Sequence, residues 1–74
     1  MKSRRDRFEE IATRRVQYIL NKLDNLGNCA NTNNYEYSEQ DVNKMFTAIR
    51  NKLRITESKF KDGLKTKTGN KFEF

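Results

Sequence analysis

The sequence predicts an all-α protein: an antiparallel two-helix hairpin with a short C-terminal extension, completed by dimerisation. Three observations predict it. Phe8, Ala12, Val16, Ile19, Leu23 and Leu26 recur at steps of three and four residues, and so do Val42, Phe46, Ile49, Leu53, Thr56 and Phe60. Such spacing holds side chains on one stripe of a helix. An asparagine-rich connector separates the two runs, and the chain contains no proline to interrupt either of them.

The first helix is expected over about residues 4–26. Ser3 stands at the N-cap, with Asp6 at the position that returns the reciprocal capping-box bond. Asp6, Glu9 and Glu10 favour the positive end of the helix dipole, whereas Arg4, Arg5 and Arg7 oppose it. Gly27 is expected to close this helix, because glycine readily takes the left-handed conformation that ends many helices.

The connector, residues 27–37, contains Asn28, Asn31, Asn33 and Asn34, which favour turns through side-chain-to-backbone hydrogen bonds. Tyr35 and Tyr37 are large for so short a segment, either plugging the open end of the helix pair or meeting a partner. Ser38 and Asp41 form a second capping box, while Tyr37 and Val42 occupy the positions of a hydrophobic staple. The second helix is therefore expected over about residues 38–62. Lys59 and Lys61 complement its negative end, and Gly63 is its stop. Residues 63–74 then form a tail or a marginal hairpin turning at Gly69-Asn70, with Phe72 and Phe74 either docked or frayed.

A chain of 74 residues is one domain at most. The hairpin, residues 1–62, is that domain. Two helices share one seam and no disulfide reinforces it, so a second copy is the natural way to enlarge the core. Leu20, Ile55, Tyr18 and Ile11 lie outside a single seam and point the same way. Thr56 is a polar break in its stripe, which either sets register or marks fraying.

Composition excludes much chemistry. Histidine is absent, which removes the usual general base, the usual zinc ligand and any Ser-His or Cys-His nucleophile. Cys29 is single and is expected to pack beneath the connector. Gly27, Gly63 and Gly69 are too scattered to cradle a phosphate, and the adjacent Glu9 and Glu10 point in different directions. No enzymatic activity, cofactor or metal is expected. Mean hydropathy is −1.09, and neither a signal-like apolar core nor a bilayer-length segment is seen, so the expected location is cytoplasmic and away from membranes.

The formal charge of +6 is spread along the chain, which favours anionic partners or serves solubility. On the first helix the charges separate. At about 100° per residue, Arg4, Arg7, Arg14, Arg15 and Lys22 fall on one flank of the apolar stripe, interleaved with Ile11 and Tyr18. Asp6, Glu10 and Asp24 fall near the opposite flank, with Glu9 at the edge of the stripe. A flank of arginines with an aliphatic and a tyrosine has the composition of a contact surface. The bland alternative is a wider core stripe with arginine stems lying over it. On the second helix, Lys44, Arg50, Lys52, Arg54, Lys59 and Lys61 are spread around the polar arc. Arg4, Arg7, Ile11, Arg14, Arg15, Tyr18, Lys22, Tyr35 and Glu36 are thus the candidate contacts to a protein or a nucleic acid. No zinc finger, RNP pattern, KH loop or compact helix-turn-helix spacing accompanies them.

From Arg7 to Phe60 the chain resembles a group of short helical-hairpin proteins of bacteria and their phages or mobile elements. The resemblance rests on Arg15-Val16, Leu26-Gly27-Asn28, Asn34-Tyr35-Glu36-Tyr37 with Asp41-Val42 and Phe46, then Phe60 and the aromatic carboxyl end. It implies the hairpin and a microbial origin, and no established activity comes with it. The expected function is a non-enzymatic protein-interaction module, a regulator or inhibitor of a host protein, acting as a homodimer. The alternative is a small basic nucleic-acid-binding protein.

Overall fold

The computed structural model describes residues 3–68. These are all-α, with two helices and no strand among the described residues. Helix α1 runs Arg4–Gly27 and helix α2 runs Glu39–Thr68, with a 3-10 turn, Asn28–Ala30, following α1. At about 1.5 Å per residue, their 24 and 30 residues span about 36 and 45 Å. The chain divides between Glu36 and Tyr37 into two units, the first holding α1 and the connector, the second holding α2.

Both helix starts follow the capping chemistry. The Ser3 hydroxyl accepts from the Asp6 backbone N–H at 3.0 Å, and the Asp6 carboxylate accepts from the Ser3 N–H at 3.4 Å. The α2 box is tighter on its return bond. Asp41 N–H donates to the Ser38 hydroxyl at 3.1 Å, and Ser38 N–H donates to the Asp41 carboxylate at 2.9 Å. Arg7 N–H and Val42 N–H then open the helical ladders by donating to the carbonyls of Ser3 and Ser38.

The helix ends differ from expectation. Gly27 is not left-handed; its φ of −59° and ψ of −27° leave it within the helical region. The chain tightens instead, and Asn28 N–H donates to the carbonyls of Asp24 and Asn25. A 3-10 turn satisfies terminal carbonyls in this way without a left-handed residue. Gly63 does not stop α2, which continues to Thr68. No glycine among the described residues has a positive φ. The flanking sequence explains it. Lys61, Leu64 and Lys65 are good helix formers. Leu64 also follows Phe60 by four residues and prolongs the apolar stripe. Residues 64–68 are helical and so cannot supply a hairpin arm, and Gly69-Asn70, Phe72 and Phe74 lie outside the described residues.

Neither unit covers its own stripe. No described residue is buried. Ala12, Leu26, Val42 and Ile49 are half-buried, whereas Val16, Ile19, Leu53 and Phe60 are more than half exposed. Thr56 is accommodated by its own helix, since its hydroxyl donates to the Lys52 carbonyl at 2.8 Å. That bond removes the need for a polar partner opposite, and α2 runs on past it.

Candidate interaction surface

Helix α1 is unbroken from Arg4 to Gly27, so the angular separation of its side chains follows directly from the 3.6-residue repeat. Three sectors result. The apolar stripe carries Phe8, Val16, Ile19 and Leu23, all exposed. On one side lies the basic flank of Arg4, Arg7, Arg14, Arg15 and Lys22. On the other lie Asp6 and Asp24, with Glu10 at the back.

Within the basic flank, Lys22 and Tyr18 come together. The Lys22 ammonium sits 5.0 Å from the centroid of the Tyr18 ring, a cation–π arrangement one helical turn apart. Tyr18 remains 61% exposed, so the pair lies on the surface of the first unit. Ile11 beside it is also exposed. Arg14 reaches backwards, its guanidinium 3.7 Å from the Glu10 carboxylate. Such an exposed, long ion pair contributes little to stability and leaves the guanidinium available to a stronger anion.

Arg5, which the sequence marks only as a charge opposing the helix dipole, has a further place. It projects onto the apolar stripe, where its guanidinium lies 5.7 Å from the Phe8 ring and 2.8 Å from the Glu9 carboxylate. The side chain therefore lies along the N-terminal end of the stripe. Its signal was legible, because Arg5-Phe8 and Arg5-Glu9 have the three- and four-residue spacings at which helical side chains meet. On α2, Met45 similarly borders the stripe beside Phe46, and both are exposed.

The connector is held by local hydrogen bonds. The Asn31 side chain accepts from Asn33 N–H at 2.9 Å, closing an Asx turn. The Asn31 carbonyl accepts from Asn34 N–H at 3.1 Å and Tyr35 N–H at 3.0 Å. Backbone donation from Tyr35 fixes the main chain while its ring stays 53% exposed. The rest of the first unit thus leaves the Tyr35 ring uncovered. Glu36 follows it, also exposed, and this pair lies off the helical flank. Cys29 sits in the 3-10 turn and is exposed, contrary to the expectation that it packs beneath the connector. In a 3-10 turn at a helix end the side chain projects outward unless another element covers it.

Among the described residues, no group of three or more metal-ligating side chains converges. No helix of the described chain is long and apolar enough to cross a membrane. Comparison with family models, curated proteins and solved structures finds no match to this chain.

Proposed function

We propose that the chain is a non-enzymatic interaction module that binds a protein partner through the apolar stripe of α1. One observation carries this reading: Phe8, Val16, Ile19 and Leu23 form a continuous helical stripe that is 40–57% exposed residue by residue. A contiguous apolar surface with polar borders is costly to leave in water and is characteristic of binding sites. An amphipathic helix laid into a groove, read by anchors at three- and four-residue spacing, is the corresponding recognition mode. A second copy of the chain is one such partner. A regulator or inhibitor of a host protein is the form this reading takes, and the resemblance to short proteins of bacteria and their phages or mobile elements bears on origin alone.

The test is an affinity pull-down from nuclease-treated bacterial lysate, with the tagged wild-type chain beside Ile19→Glu. A glutamate at that exposed helical position keeps the helix and places a charge in the stripe. A protein retained by the wild type and lost from the variant is the expected result. Equal retention by both overturns the assignment of the stripe. A second reading, a small basic nucleic-acid-binding protein, is favoured by the charge segregation of α1 and uses a different face.

A further inference from the structure

The geometry points to a duplex-DNA docking surface on α1, in which the basic flank straddles the two phosphate rims of a major groove. This rests on the nucleic-acid reading and is independent of the apolar stripe. The flank has internal order that net charge alone does not require. Measured from Ala12 at about 100° per residue, Arg4, Arg15 and Lys22 lie on one row, about 60–80° round the helix. Arg7 and Arg14 lie on a second row, about 140–160° round. Ile11 and Tyr18 fall between the rows, one helical repeat apart. No aspartate or glutamate lies between the two rows; Asp6, Glu9 and Asp24 project to the other side, and Glu10, at the back, borders the second row beside Arg14.

Two cationic rows with an apolar and aromatic strip between them match a groove with anionic rims and a base-lined floor. A helix with its side chains is about 10–12 Å across. The major groove of B-form DNA is about 12 Å wide, whereas that of A-form RNA is too narrow for side chains to read. The rows would meet opposite strands, and Ile11 and Tyr18 would face the base edges, where thymine methyl groups accept apolar contact. Arg4 to Lys22 covers about 27 Å of helix, ample for contacts along the groove. The two pairings in the flank grade its members. Arg14 must leave Glu10, at 3.7 Å, and so contributes least. Lys22 leans over Tyr18, at 5.0 Å, towards the strip between the rows, and swings outward to meet a phosphate.

The experiment is fluorescence anisotropy of the full chain with a labelled 24-base-pair duplex of mixed sequence, across a salt series. Four phosphate contacts, from Arg4, Arg7, Arg15 and Lys22, give a slope of log affinity against log salt of about −3.6. Affinity should then fall roughly 150-fold between 50 and 200 mM salt. Arg7→Gln with Arg15→Gln, one from each row, should bring the slope to about −1.8, with helicity unchanged by circular dichroism. Lys44→Gln with Arg54→Gln removes the same charge from α2 and should leave the slope near −3.6. Tyr18→Ser should weaken binding without changing the slope. Equal loss from the α1 and α2 pairs would overturn the proposal in favour of net charge alone. Absence of duplex binding at 50 mM salt, or tighter binding of single-stranded DNA, duplex RNA or polyglutamate, would overturn it too. Loss of the stripe's protein partner in Ile19→Glu with DNA binding intact would leave this inference standing, so the two readings fail separately.

Discussion

Gly63→Ala should stabilise α2, although a glycine that ends a helix would give the opposite result. The residue lies within Glu39–Thr68 and has no positive φ, so alanine can take its backbone conformation without strain. A Cβ built there meets nothing within 4 Å, so no steric cost offsets the gain. The remaining terms are conformational. Glycine in a helix interior is about 0.8–1.0 kcal/mol less favourable than alanine. Part of that difference lies in the larger entropy of the unfolded glycine. A gain of about 1 kcal/mol shifts a local helix–coil equilibrium roughly fivefold. Position 63 is near the end of α2, so the gain falls chiefly on residues 59–68. The assay is two-fold: ellipticity at 222 nm on heating, and Cα chemical shifts of residues 59–68. Alanine should raise the helical shifts of that segment and move the melting curve upward. A fall in helicity beyond residue 63 would show that Gly63 works as a left-handed terminator, and would refute the reasoning.

Other outcomes follow from the same structure. Ser38→Ala removes the acceptor of the Asp41 N–H and should cost α2 about 1 kcal/mol, with Ser38→Asp recovering most of it; equal helicity of all three chains would disprove the cap. Tyr35→Ala should shift thermal unfolding by no more than about 0.5 kcal/mol, because the ring is exposed, and a loss several times larger would reveal a plug. Leu53 is 64% exposed, so Leu53→Ala should leave helicity intact and weaken any self-association, which sedimentation at several concentrations would measure. A monomeric wild-type chain at high micromolar concentration would remove the dimer from the proposal.

How much was legible in the sequence depended on how local each interaction is. The helix starts could be read from Ser3-Asp6 and Ser38-Asp41, because a capping box closes within four residues and its partners are specified by type and spacing. The separation of charge on α1 was legible for the same reason, since helical periodicity alone places Arg7 and Arg15 away from Asp6 and Asp24. Asn31 likewise needed only its own side chain and the backbone two residues on.

Other features were decided by the three-dimensional structure. Gly27 and Gly63 are compatible with a helix interior or a left-handed stop, and the identity of a residue without a Cβ does not choose between them. The structure places Gly27 in the helical region and carries α2 through Gly63 to Thr68. Exposure was beyond the pattern as well. Heptad spacing shows that Val16, Ile19 and Leu53 share faces with other apolar residues, but burial depends on what covers a face. Val16 and Ile19 stay more than half exposed in the first unit and Leu53 in the second, so neither unit by itself turns its stripe into a core.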